Sequence, residues 1–380
     1  MINTARFWIW LTLAIGVNNP KHKRIYESYD NIADFYNSGV YEWRLCGVFS
    51  PKDIESLENT KLSKADEIIS QCKTLGYDII CIDDPKYPHK LKDIYAPPCV
   101  LYVWGKLPDL DERLGIAMVG TRNATQYGVM ASHTLSASLS KLGVVIVSGG
   151  ALGIDSASHT GTLEAGGTTI CVLGCGIDYR YLMSNASMRK NIASTGAVIS
   201  EYPPGTHAYP SNFPIRNRII SGLSDGVIVV EADVKSGSLI TVNHALEQGR
   251  EVFAVMGNIN SRYSTGTNKM IKDGAIPVTS YMDVIEAFPN YQIDTDDNTE
   301  PEFSGQNNSS INKEPVLHRE DLDLSDTVKL VYKCIGNEPI HIDQLVVKTG
   351  LPVSKVLQSL TELEILALIS CQQGRLYKLA

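Results

Sequence analysis

Val144-Val145-Ile146-Val147-Ser148-Gly149-Gly150-Ala151-Leu152-Gly153-Ile154-Asp155 decides the fold. Four β-branched residues run without a polar break into a glycine-rich turn, and a helical stretch from Ile154 to Ala165 follows. A strand that is apolar at every position, rather than at alternate ones, is covered on both faces. The same unit recurs along the chain. Strands are expected at Ile116-Gly120, Thr168-Leu173, Ala197-Ser200, Gly226-Val230 and Glu251-Val255, with helices that include Tyr127-Leu142 and Leu239-Gly249. Repeated βαβ units from Gly115 to about Phe288 predict an α/β fold with an extended, Rossmann-like parallel sheet.

Outward from this core the composition changes four times. Residues 1–80 carry short apolar helical patterns and predict a small helical domain of helix-hairpin type. Residues 81–114 hold Asp84-Pro85-Lys86-Tyr87-Pro88 and Pro97-Pro98, a braced connector running into the first strand of the core. Residues 289–325 are acidic, rich in Asn and without periodicity, so they predict a flexible linker. Residues 326–380 read as three helices, Val328-Cys334, His341-Thr349 and Pro352-Leu363, then two strands about Gly374, the pattern of a winged helix.

At 380 residues the chain exceeds one typical domain, and its 43% hydrophobic and 20% charged residues are those of a soluble protein. The apolar run Phe7–Val17 is too short to span a bilayer, which needs about 20 residues, and no small-residue cleavage site follows it. No membrane insertion is expected. Eight cysteines form no CxxC pair, which speaks against a zinc site and suits a reducing cytoplasm. The net charge of -8 sits entirely in residues 289–326, with ten acids and two bases; residues 115–288 balance twelve against twelve. An acidic chain is therefore no argument against a local basic patch.

Ligands of such sheets gather at the carboxyl ends of the strands. Gly120-Thr121-Arg122 follows the first core strand and offers turn amides and a bidentate phosphate donor, or simply a tight turn with a solvated arginine. Ser148-Gly149-Gly150 follows the next, its glycines allowing close backbone approach, but with Gly153 the spacing is not that of a dinucleotide fingerprint. No nicotinamide-type cofactor, and no cofactor of any kind, is expected. Asp155 is placed to cap its helix or to orient Arg122. Phe213-Pro214-Ile215-Arg216-Asn217-Arg218 sets an aromatic among arginines that diverge if helical; sequence-tolerant binding of unpaired bases needs that pairing. The alternative is a core Phe213 with Arg218 paired to an acid such as Glu231. Ser236-Gly237-Ser238 opens another helix, and Lys269 adds charge near the last strand end. No GxSxG elbow, HExxH or Walker A sequence is present, so no catalytic or metal constellation is expected.

Taken as a set, Val119-Gly120-Thr121-Arg122, Ser148-Gly149 to Asp155 with His159, Ser200-Glu201-Tyr202-Pro203-Pro204-Gly205, Asn212 to Ile220, Val230-Glu231, Ser236 to Thr241 and Ala245 to Val252 resemble the successive motifs of the DprA/Smf family. The resemblance implies a helical N-terminal domain, a Rossmann-like domain and a winged helix. It implies a cytoplasmic, non-catalytic homodimer that binds single-stranded DNA during natural transformation and works with single-strand-binding protein and the recombinase RecA. The sites it implies are the ones read above, with Asp155 and Glu231 supporting the pocket. Three positions depart from the family pattern: Leu152 stands where arginine is usual, Leu182 follows Tyr181 where proline is usual, and Met256 replaces a proline. The rival is a Rossmann-type enzyme that binds or hydrolyses a nucleotide. A transcription regulator is a third reading, weakened because Pro352–Leu363 carries Lys355 as its one base.

Overall fold

Every residue of the strand Val145–Ser148 is buried, as a strand sandwiched between helices requires. The computed structural model describes residues 4–291, 326–335, 340–365, 369–372 and 376–379. Of the expected acidic linker, residues 289–325, all but the first three lie outside the described residues. The chain divides into two units, residues 1–298 and 299–380.

In the first unit five helices come first: α1 (Ala5–Ile15), α2 (Lys21–Ser28), α3 (Ile32–Leu45), α4 (Pro51–Asn59) and α5 (Leu62–Leu75). The apolar run anticipated as a buried first helix is α1, with Trp8 and Trp10 fully enclosed and the Trp10 indole Nε1 donating to the Thr60 carbonyl. The Ser50–Asp53 pair closes a capping box on α4. These helices share one apolar cluster with the near edge of the sheet, joining Trp8, Phe35 and Leu57 to Val100, Leu101 and Val198.

The sheet that follows has nine strands. Along the chain come β1 (Asp78–Cys81), α6 (His89–Lys92), β2 (Val100–Gly105), β3 (Gly115–Val119), α7 (Gln126–Lys141), β4 (Val145–Ser148), α8 (Ile154–Glu164), β5 (Thr169–Leu173), α9 (Ala186–Thr195) and β6 (Ala197–Ser200). Then come α10 (Asn212–Gly222), β7 (Gly226–Val229), α11 (Ser238–Glu247), β8 (Glu251–Val255), α12 (Thr265–Lys272), β9 (Ile276–Val278) and α13 (Met282–Ile285). The spatial order is β1-β2-β6-β5-β4-β3-β7-β8-β9. β2 runs antiparallel to both its neighbours, and β3 to β9 are parallel throughout. The chain winds outward from β3 to β6, then returns across the sheet to start again at β7. The crevice at that reversal, beside the carboxyl ends of β3 and β7, is where such sheets hold ligands.

The second unit packs α14 (Asp326–Lys333), α15 (Ile342–Thr349) and α16 (Val353–Ile365) around Val331, Leu345 and Leu360. A small antiparallel sheet of β10 (Ile340–His341), β12 (Leu376–Leu379) and β11 (Ile369–Gln372) completes a winged helix. Among the described residues no helix is long and apolar enough to cross a membrane.

Candidate functional site

At the reversal lies a cavity of about 660 Å³, lined by the turn after β3, the start of α8, the first half of α10 and the start of α11. Phe213 is its organising side chain. It stands in the first turn of α10, half-buried, with its ring 5.1 Å from that of Tyr181. Two guanidinium groups flank it: Arg122 Cζ at 5.6 Å and Arg216 Cζ at 5.9 Å from the ring centroid. Arg122 is exposed, whereas Arg216 is buried and donates from Nη1 to the Val172 carbonyl at 2.5 Å. Among the described residues, neither has a carboxylate within ion-pair distance. Two cations outside ion-pair distance of the described carboxylates, one on each side of an accessible aromatic ring, make a surface suited to a polyanion that carries flat groups.

The glycine-rich turn after β4 serves this arrangement differently from the expectation. A Cβ on Gly149 would lie 2.1 Å from Arg216 Nη1, so the glycine makes room for the guanidinium rather than for a ligand. The turn's amides are already taken, because Asp155 Oδ2 accepts from Gly149 N and Ala151 N at 3.2 and 3.3 Å. Asp155 thus ties the loop, instead of capping its helix or orienting Arg122. Burial pushes its carboxyl above the usual range, opposed by the Arg216 charge and these amides. Ser148 is likewise occupied: its hydroxyl donates to the Met118 carbonyl at 2.7 Å. Gly150 presses against Cys171 Sγ and gives its carbonyl to Asn185. Ser148, Gly149 and Gly150 support the cavity from behind and do not line it.

The mouth of α7 is closed in the same way. Glu231, at the end of β7, accepts from Thr125 Oγ1 at 2.6 Å and Thr125 N at 2.9 Å. A Cβ on Gly128 would lie 2.2 Å from Glu231 Oε2, so only glycine admits the carboxylate there. Helix N-termini attract anions, and at the start of α7 the protein's own Glu231 takes that place. The start of α11 holds Ser236, Gly237 and Ser238, whose hydroxyls bond each other at 2.8 Å and all of which line the cavity.

Of the remaining expected residues, Gly120, Thr121, Arg122, Phe213, Arg216 and Asn217 line the cavity. Arg218 and Lys269 do not line it. Arg218 lies two residues beyond Arg216, about 200° further round the helix. There it binds Glu201 through Nη2 at 2.7 and 2.8 Å and Asn18 through Nε at 2.7 Å, with the arginine 4% and the glutamate 1% exposed. It joins the segment after α1 to the sheet, and its partner is Glu201 rather than Glu231. Lys269, on α12, pairs with Asp273 one turn along and lines a separate groove beside α11. Tyr181, Pro210 and Thr241 also line the cavity without having been foreseen. Tyr181 leads into Leu182 at φ 45°, a left-handed conformation that proline cannot adopt.

The family model for DNA recombination-mediator protein A matches residues 78–289, and the DprA winged helix domain matches residues 318–375. DNA processing protein DprA of Bacillus subtilis (strain 168) is 42% identical over 230 residues, 60% of this chain and 77% of that protein. Protein Smf of Escherichia coli (strain K12) is 35% identical over 303 residues, 79% and 76% of the two chains. Among solved structures, DNA processing protein A from Streptococcus pneumoniae superposes with a TM-score of 0.62 at 31% identity, covering 73% of this chain and 95% of that one. DNA processing protein A from Helicobacter pylori, described for its single-stranded DNA binding mode, superposes with a TM-score of 0.52 at 32% identity, covering 57% and 97%. Family models, relatives and superposed structures agree, and the chain belongs to the DprA/Smf family of DNA-processing proteins.

Proposed function

We propose that this protein binds single-stranded DNA across the crevice without cleaving it. In the reading proposed here it protects incoming DNA and helps to load RecA during natural transformation, as a cytoplasmic homodimer that meets single-strand-binding protein on the same strand. Arg122 and the opening of α11 take phosphates, Phe213 stacks a base, and Arg216 holds the positive potential behind the ring.

One observation carries the reading: an accessible phenylalanine between two guanidinium groups, of which the exposed Arg122 has no carboxylate within ion-pair distance among the described residues. The relative from Helicobacter pylori, whose structure concerns single-stranded DNA binding, supports it. Against the rival enzyme stands the carboxylate of Glu231, seated at the start of α7, where a nucleotide-binding sheet would place a phosphate. A fluorescence anisotropy comparison of a single-stranded oligonucleotide with its duplex, run beside an assay of nucleotide turnover, tests the proposal. Preference for the single strand with no turnover is expected. Indifference to the single strand together with nucleotide consumption would overturn it.

A further inference from the structure

The loops that follow β5 and β6 carry a row of aromatic rings past the rim of the crevice. Tyr181 lines the crevice, with its ring 5.1 Å from that of Phe213. Two residues earlier, Tyr179 lies 4.9 Å from the His207 ring, which in turn lies 6.1 Å from Tyr209 at an interplanar angle of 31°. Tyr179 and Tyr181 rest against the core. His207 and Tyr209 are exposed, Tyr209 by 57%, and Tyr209 packs against none of the apolar clusters of the described residues. Ala208 and Pro210, which alternate with them in sequence, line the crevice, so the pair stands on its rim. Arg180, between the two other tyrosines, is exposed as well. Among the described residues no carboxylate lies within ion-pair distance of it.

Backbone bonds, rather than core packing, hold these exposed rings in place. Gly176 N donates to the Thr206 carbonyl at 2.9 Å and Gly205 N donates to Asp178 Oδ1 at 2.8 Å, which ties the two loops together and engages the neighbouring acid. Asn212 N donates to the Tyr209 carbonyl at 3.0 Å. That β-turn brings Tyr209 within about 7 Å of the start of α10, where Phe213 stands. A lone exposed aromatic needs no explanation, but a braced pair continuous with a crevice marks a contact surface. Flat rings beside an unneutralised cation are what unpaired bases stack on, and every base offers such a face.

We infer that His207 and Tyr209 form a second stacking step, which takes the base next to the one on Phe213 as a single strand leaves the crevice over the ends of β5 and β6, with Arg180 supplying charge beside it. The inference rests on the proposed crevice, and adds to it the side on which the strand leaves.

The test compares the full wild-type chain with Tyr209→Ala, Tyr209→Phe and Phe213→Ala, by anisotropy with oligothymidylates of increasing length. Because Tyr209 is exposed, Tyr209→Ala is expected to keep the wild-type Tm. It should weaken binding of the longer oligonucleotides about tenfold and leave the shortest that still bind unchanged, and Tyr209→Phe should restore the loss. Phe213→Ala should weaken every length. A loss in Tyr209→Ala shared by every length marks a disturbed crevice rather than a missing stack, and overturns the inference; so does no loss at any length. An oligothymidylate carrying one 5-iodouracil, moved along the strand and irradiated with the wild-type chain, should label Tyr209 from a position adjacent to the one that labels Phe213. Labelling of Phe213 with none of Tyr209 at any position overturns the inference and leaves the crevice standing. Undiminished binding by Phe213→Ala would instead refute the crevice, and with it the step that adjoins it.

Discussion

Arg216 and Arg218 stand two residues apart on α10 and are equally buried, yet they lead opposite lives. Arg218 meets a carboxylate head-on and is spent in holding the N-terminal segment to the sheet. Arg216 meets a carbonyl and an aromatic ring at the wall of the crevice, and the Asp155 carboxyl acts on it through space without an ion pair. Each also lies beside a buried histidine, His22 near Arg218 and His159 near Arg216. The difference lies in the partner, not in the arginine. A cation in direct contact with a buried acid is a structural clamp, and one without that contact can still answer a polyanion.

The sharpest way to break this comparison is Arg218→Ala. Removing one member of a buried pair strands the other, and a cost of about 3–5 kcal/mol is expected. Urea denaturation of the variant should show that loss, and Glu201→Leu added to it should restore part of the stability. A stable Arg218→Ala protein with impaired DNA binding would show that Arg218 serves the ligand after all.

Much of this was legible in sequence and some was not, for physical reasons. Continuous apolar runs placed the six inner parallel strands within a residue or so of β3 to β8, because burial on both faces leaves no polar break. The edge strands β1 and β9 escaped notice: Asp78–Cys81 has one buried half, and Ile276–Val278 carries a proline in its middle. At the site, the residues borne by turns and by the start of a helix, Arg122, Phe213 and Ser236 to Ser238, were readable because a strand end announces them. Which acids would occupy the neighbouring amides was not, since Glu231 reaches back to Thr125 across 106 residues. The fate of Arg218 hung on Glu201 in the same way. That of Lys269 was readable from Asp273, four residues on, a pairing given too little weight beside its place near a strand end.

The histidines sharpen the comparison through pH. Burial first, and then the adjacent Arg218 or Arg216, lowers His22 and His159 from 6.5 to about 3. Both are therefore neutral in the fold, whereas the unfolded chain takes up protons from about pH 6.5 downward. Their share of stability is complete above that pH and is lost as the pH falls toward 3. Between pH 7 and pH 5 the loss should reach about 2 kcal/mol for each histidine. Urea midpoints at the two pH values check this, and a midpoint that does not move would contradict the burial of both rings.

Phe213→Ala addresses the other side of the comparison. It should leave the fold intact and weaken single-strand binding by about 1–3 kcal/mol, with no preference among bases, as expected for a lost stack. Anisotropy with homopolymeric oligonucleotides reads it. A loss confined to one base would replace stacking with edge recognition.

The most direct measurement is the salt dependence of oligothymidylate binding by the wild-type chain and by Arg122→Ala. Each phosphate neutralised on a single strand contributes about 0.7 to the slope of log K against log salt. The account predicts that Arg122→Ala lowers the slope by about that amount and weakens all sequences alike. A slope identical in the two proteins would contradict the claim that unpaired arginines at the crevice grip the backbone of a strand.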